Sequence, residues 1–389
     1  MAALKYWLWL TNLPGLSIRS QWLLLTAFSS PEEIYYAGEE QMRLVEGMTS
    51  DQAALLQDKS LRRAEEILAE CARKDIFIVT VQDAAYPSRL RNIYDAPLLL
   101  YGKGAMPLFD EEAAIAVIGT RKCTPYGVHA AEELGYEMAK QGALIVSGLA
   151  EGIDAAAHKG ALRAGGFVAG VLGCGVDVVY PASSRRLYED IAATGVLLSE
   201  YPPGTKPTPW QFPERNRIIS GMSDCTLVVE APMKSGALIT ARDALEQGRE
   251  VFSVPGSVTR ESCAGSNALL RDGASVACCG WDVLQGYESR YPDIARREVA
   301  AQKAEAPRND KKDIDNPPQG AYIDLECITQ ELDPLQKRIV ETIGSETVYV
   351  DVLATKLDMS SPELMMALTD LGLMGIIENH PGRMVSVKG

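Results

Sequence analysis

The chain has 389 residues, 47% of them hydrophobic, and a formal charge of −14. That length exceeds one ordinary domain and predicts two or three, each with its own buried core. The acidic balance excludes a globally basic surface of the kind that drives non-specific duplex binding, so any contact with nucleic acid has to be local, in a groove or pocket.

No apolar run is long enough to cross a bilayer. The apolar opening at 4–10 is short, Thr11-Asn12 follows it, and a small-residue cleavage site is missing, so no signal peptide is expected. The eight cysteines contain no C-x-x-C pair, and His129, His158 and His380 are far apart. This argues against a zinc centre and for reduced thiols in a cytoplasmic protein.

Residues 4 to about 72 read as short helices. Two glycine turns, around Gly15 and Gly47, are each followed by a hydroxyl residue, Ser17 and Thr49, placed to cap the next helix. Such turns can offer backbone N–H groups to phosphate, but few basic residues lie near them, which favours a plain helical bundle. From 76 to about 285, apolar strands alternate with helical stretches. Strands are expected at 76–80, 98–101, 115–118, 144–147, 167–172, 196–199, 226–230, 250–254 and 275–277, with helices at 128–141, 154–164, 185–193 and 236–247. Continuous Val/Ile/Leu runs between helices predict an α/β fold with a doubly wound, mostly parallel sheet buried on both faces. Residues 288–326 lose the pattern, become charged and end in Asn316-Pro317-Pro318, as a linker does. Residues 327–389 predict three helices (335–343, 350–357, 362–373) and a hairpin (376–378 with 384–387), a winged-helix-like layout. Its third helix has no Arg or Lys to read bases, which favours a protein partner for the tail. The expected division is thus a helical domain 1–72, a Rossmann-type domain 73–287, a linker 288–326 and a tail domain 327–389.

In such sheets, ligands bind where strands end and helices begin, at the switch point. Five junctions qualify. In Gly119-Thr120-Arg121-Lys122, a turn exposes N–H groups and Arg121 adds charge. Ser147-Gly148-Leu149-Ala150-Glu151-Gly152-Ile153-Asp154 repeats the pattern; His158 lies one turn beyond Asp154, which predicts an Asp154–His158 hydrogen bond bracing the turn. Gly173-Cys174-Gly175 begins like a dinucleotide fingerprint but lacks the third glycine, so NAD is not expected. After Pro202-Pro203-Gly204, a helix is expected to carry Arg215, Asn216 and Arg217 in its first turn. Cations there oppose the helix dipole and make sense only against an anion. Trp210 and Phe212 are near enough to stack a base; core packing is the alternative for both, and the favoured one for Phe212. Lys234-Ser235-Gly236 opens the last junction, without the spacing of a phosphate-binding ATPase loop. No junction carries a nucleophile–base pair or a carboxylate pair, so binding a phosphodiester suits these parts better than cleaving one.

These stretches, in order, resemble the DNA-processing protein A (DprA/Smf) family. The resemblance runs from Gly119-Thr120-Arg121 through Ser147–Ala150, Gly152-Ile153-Asp154 and Gly173–Asp177 to Phe212–Gly221, then Ser235-Gly236 and Gly265-Ser266-Asn267. It implies an extended Rossmann fold that binds single-stranded DNA, forms homodimers and loads the RecA recombinase during natural transformation, with no cofactor, no metal and no membrane partner. It further implies that Arg121, Arg215, Asn216, Arg217 and Lys234 line the DNA pocket. Ser147, Gly148, Ser235 and Gly236 would give backbone or hydroxyl contacts, with Arg185 a further candidate. Glu151, Ser184 and Ala237 depart from the family's usual Arg, Asn and Ser. Two other readings compete: a phosphoribohydrolase-like nucleotide enzyme, against which Pro232-Met233-Lys234-Ser235-Gly236 lacks a glycine pair, and a duplex-binding regulator working through the tail.

Overall fold

The computed structural model describes residues 3–292 and 294, and in the tail 334–343, 348–357, 359, 364, 367, 368, 371, 377–380 and 384–387. The chain separates into two compact units, Met1–Pro307 and Arg308–Gly389.

The first unit opens with six helices: α1 (Leu4–Thr11), α2 (Ile18–Ala27), α3 (Pro31–Tyr36), α4 (Glu39–Arg43), α5 (Ser50–Leu55) and α6 (Arg62–Lys74). Both expected caps form. The Ser17 hydroxyl accepts from Ser20 N–H, and Thr49 makes a reciprocal capping box with Gln52. Gly15 and Gly47 each adopt a φ of +85°, which explains the glycines, and a Cβ there would press on Leu55 (3.3 Å) or Leu23 (3.0 Å) of a neighbouring helix.

Nine strands follow: β1 (Phe77–Thr80), β2 (Leu99–Gly104), β3 (Ala114–Ile118), β4 (Leu144–Ser147), β5 (Val168–Val171), β6 (Val196–Ser199), β7 (Cys225–Val228), β8 (Glu250–Ser253) and β9 (Ser275–Val276). They form one sheet in the order β1-β2-β6-β5-β4-β3-β7-β8-β9. From β6 to β9 all neighbours are parallel; β2 alone runs antiparallel to both of its neighbours. The chain steps outward from β3 to β6, then returns to lay β7 on the other side of β3. The switch point therefore lies between β3 and β7.

The helices between strands are α7 (Ser88–Arg91), α8 (Pro125–Lys140), α9 (Ile153–Arg163), α10 (Arg185–Thr194), α11 (Gln211–Gly221), α12 (Gly236–Glu246) and α13 (Ala264–Arg271), and α14 (Gly280–Leu284) follows β9. Strand β3 shows why the strand sequences are apolar throughout. Ala114, Ala116 and Ile118 enter a core shared with the N-terminal helices, α11 and α12. Ile115 and Val117 enter the opposite core, with Leu134, Met138, Ala157, Leu187 and Ile191 of α8, α9 and α10. A strand covered on both faces has no polar side to show.

Helix α11 begins at Gln211, one turn earlier than expected. Pro213 sits in its first turn, where the missing N–H has no partner to lose. Arg215, Asn216 and Arg217 therefore lie in the second turn, beyond the first-turn reach of the helix dipole.

In the second unit, α15 (Pro334–Ile343) and α16 (Val350–Leu357) accompany a three-stranded sheet, β10 (Val348–Tyr349), β11 (Ile377–His380) and β12 (Met384–Val387), in the order β10-β12-β11. The short β10 adds a strand that the hairpin reading did not include. Leu364, Ala367, Leu368 and Leu371 are helical and buried, spaced as one helix face. The rest of the expected third helix, and most of the expected linker, lie outside the described residues.

Candidate nucleic-acid interface

A cleft of about 910 Å³ opens at the C-terminal ends of β3, β4 and β7, over the switch point. Its walls come from four junctions: Gly119–Lys122 after β3, Ala150 and Asp154 after β4, Phe212–Asn216 on α11, and Lys234–Ala237 at the start of α12. Six of the ten expected residues line it: Arg121, Arg215, Asn216, Lys234, Ser235 and Gly236.

Each cation reaches the cleft differently. Arg121 is exposed and lies over the Phe212 ring, 5.5 Å from its centroid. Lys234 is also exposed, on the loop that Ser235 ends by capping α12 through a bond from Ala237 N–H (3.2 Å). Arg215 is only 4% exposed. Its Nη1 donates to the Gly148 carbonyl at 2.9 Å and to the Val171 carbonyl, and its Nε donates to Asn216 Oδ1 at 3.2 Å. Burial pushes its pKa down to about 10, with Arg121 acting the same way and Asp154 opposing, so it stays charged at neutral pH. Backbone carbonyls orient this guanidinium without neutralising it. Among the described residues, Arg121, Lys122, Arg215 and Lys234 take part in no ion pair.

Four expected residues lie elsewhere. Arg217, two positions beyond Arg215, points to another face of α11 and pairs with Glu200 (2.7 Å) and Asp95 (2.8 Å). Its charge is used internally, so the expected convergence of all the arginines fails there. Arg185 is exposed at the start of α10, away from the cleft lining. Ser147 is fully buried and donates to the Val117 carbonyl at 2.6 Å, which ties β4 to β3. Gly148 is buried beneath Arg215 and acts through its carbonyl.

Further expectations are corrected. No hydrogen bond links Asp154 to His158; Asp154 Oδ2 instead accepts the Gly148 N–H at 3.1 Å. His158 is fully buried and its pKa is pushed down to about 4 by burial, so it is neutral. The N-terminus of α8 is no open anion seat: the buried Glu230 carboxylate already accepts from Thr124 N–H (3.1 Å) and its hydroxyl (2.9 Å). The Gly173-Cys174-Gly175 turn faces inward. A Cβ on Gly173 would come within 3.0 Å of Phe212, and one on Gly175 within 2.9 Å of the 202–204 loop.

Three cleft residues lie outside the expected set, Lys122, Tyr180 and Phe212. Lys122 follows Arg121 in the same loop, and Tyr180 belongs to the Tyr-Pro stretch after β5. Phe212, expected in the core, is half-buried and forms one wall, with the Tyr180 ring 5.3 Å away and tilted by 31°. Trp210 stands 58% exposed outside the cleft, edge-on to Tyr201. Cations against aromatic faces make a surface suited to a chain of phosphates bearing flat bases.

Among the described residues, no group of three or more His, Cys, Asp or Glu is arranged to hold a metal, and no helix is long and apolar enough to cross a membrane.

Residues 62–288 match the family model of DNA recombination-mediator protein A, and residues 328–383 that of the DprA winged helix domain. The DNA processing protein DprA of Bacillus subtilis is 41% identical over 224 residues, 58% of this chain and 75% of the relative. Protein Smf of Synechocystis sp. is 34% identical over 335 residues, 82% and 81% of the two chains. The crystal structure of DNA processing protein A from Streptococcus pneumoniae matches with a TM-score of 0.63 and 34% identity, over 72% of this chain and 97% of that one. A structure of the Helicobacter pylori protein, described for its single-stranded DNA binding mode, matches with a TM-score of 0.50 and 31% identity, over 55% and 97%. The resemblance read from the motifs and the expected fold class, an extended Rossmann sheet with an N-terminal helical part and a C-terminal winged helix, are both borne out.

Proposed function

This chain belongs to the DNA recombination-mediator protein A (DprA/Smf) family, and from that premise we propose that its switch-point cleft binds single-stranded DNA so that RecA can be loaded onto the strand. The observation that carries the proposal is the meeting of Arg121, Lys122, Arg215 and Lys234 in one cleft, none ion-paired, beside Tyr180 and Phe212. Each phosphate that meets a cation releases counterions, which gives affinity without sequence preference. The aromatic pair takes a base face, which every nucleotide offers. A flexible single strand can lay successive phosphates into a cleft at a sheet end. A stiff duplex meets a molecule of charge −14 whose remaining surface repels it.

In this reading the protein protects and delivers the strand without cleaving it, acts as a homodimer in the cytoplasm, and serves transformation or recombinational repair. The division into domains 1–72, 73–287 and 327–389 around a linker at 288–326 belongs to the same proposal, with the winged helix as the part that meets a protein partner. Fluorescence anisotropy with labelled oligo-dT and an equal-length duplex tests it. Wild type should retain the single strand and not the duplex, Arg121→Ala should weaken retention at least tenfold while melting normally, and RecA filament assembly should speed up only with wild type. Equal affinity for duplex, or oligo-dT binding by Arg121→Ala indistinguishable from wild type, would overturn the proposal.

A further inference from the structure

Beneath Arg215 the chain places a glycine, and the space a side chain would fill there is shared by two opposite charges. A Cβ on Gly148 would lie 2.5 Å from Arg215 Nη2 and 2.7 Å from Asp154 Oδ2. The two groups thus flank one point, yet no salt bridge joins them. Both belong to the cleft lining and both are nearly buried, at 4% and 7% exposure. Asp154 is anchored by the Gly148 N–H and Arg215 by the Gly148 carbonyl, so a single peptide segment holds the pair in register.

We propose that Asp154 is the counter-charge of Arg215 that an incoming phosphate replaces, so that binding a polyanion draws a proton onto Asp154. The inference rests on the single-strand reading of this cleft. Its physical basis is simple. A buried carboxylate next to one guanidinium is stabilised chiefly by that guanidinium. A phosphate that takes over the guanidinium leaves the carboxylate both desolvated and repelled.

The surroundings leave few other titrating candidates. From α11 the group facing Asp154 is Arg215; Arg121 acts on that guanidinium from the β3 loop and Cys174 from the end of β5. On α9 itself, His158 is buried and neutral, with its titration displaced to about pH 4. From the turn after β4, the Gly148 and Ala150 amides contribute hydrogen bonds only, and the Ser147 hydroxyl is spent on the Val117 carbonyl. Lys234 and Glu261 border the same cleft from farther along its wall. Burial already raises the Asp154 carboxyl above its usual range, with Arg215 pulling the other way. A bound phosphate raises it further. The sign follows: affinity is highest below the free-protein pKa of Asp154, falls as pH rises through it, by at most about tenfold per pH unit for one proton, and levels off above the bound-state pKa.

The test is the pH profile of oligo-dT affinity between pH 5 and 9, for wild type and Asp154→Asn, which keeps an acceptor for the Gly148 N–H. Wild type should bind more weakly as pH rises, and Asp154→Asn should give a flat profile lying above wild type at the alkaline end. Calorimetry of the wild type in two buffers of different ionisation enthalpy provides a readout that needs no variant, and should show net proton uptake on binding. Equal slopes for the two proteins, a uniform loss of affinity in Asp154→Asn, or no proton uptake across the range would overturn the inference while leaving the single-strand reading intact. No retention of oligo-dT by wild type at any pH would overturn that reading and this inference with it.

Discussion

The two ends of the central sheet both gather arginines, and they treat them in opposite ways. At the N-terminal ends of β3 and β7, Arg89 and Arg290 close on the buried Asp224, whose carboxylate also accepts from Ala114 N–H and Tyr291. Arg249 caps the arrangement by donating to the Arg89 carbonyl at 2.8 Å. At the C-terminal ends, Arg121, Lys122, Arg215 and Lys234 surround a cleft and no carboxylate is ion-paired to any of them. One end uses charge to fasten the fold, and the other holds charge in reserve. A count of arginines does not separate these cases; the partners do.

The contrast can be broken from either side. The largest expected effect is on the fastening end. Arg89→Ala removes the main partner of a fully buried carboxylate, and chemical denaturation should show a loss of about 3–5 kcal/mol. Oligo-dT binding by the fraction that stays folded should be unchanged. A loss of affinity without a loss of stability would mean that the two ends are not distinct in role. A smaller effect sharpens the picture of the cleft. Phe212→Leu keeps bulk but removes the ring that faces Tyr180 and Arg121, and should weaken oligo-dT binding by about 1–3 kcal/mol, the scale of one stacked base. Its salt dependence should stay that of wild type, because no phosphate contact is lost. An unchanged affinity would assign Phe212 to packing alone.

Much of the fold was legible because its signals are local. Continuous apolar runs located all nine strands of the large sheet to within a few residues, and Ser17 and Thr49 marked their helices by capping chemistry. The site was legible at the level of junctions, since strand ends carry the glycines and cations. What the sequence could not supply was direction. Arg215 and Arg217 are two residues apart and chemically identical, yet about 200° apart around a helix of 3.6 residues per turn. One meets carbonyls and a cleft; the other meets Glu200 and Asp95, which come from a different strand end and a different loop. Helix α11 starts a turn before the position expected from the sequence, and Pro213 is accommodated because a first-turn proline has no N–H partner to lose. Glu230 escaped notice as the occupant of the α8 N-terminus because 106 residues separate it from Thr124. Phe212 shows the same limit, since an aromatic residue in a helix does not announce which side of it is open.

The central claim is that unpaired cations at one sheet end grip phosphates, and the salt dependence of oligo-dT affinity measures it most directly. With three or four contacts, log affinity against log salt should fall with a slope of roughly −2 to −3 for wild type, and the double variant Arg121→Ala/Lys234→Ala should lose about 1.4 of that slope. Arg217→Ala, whose charge is already matched by Glu200 and Asp95, should leave the slope where it was. A double variant with the wild-type slope, or an Arg217→Ala protein with a reduced one, would contradict the account.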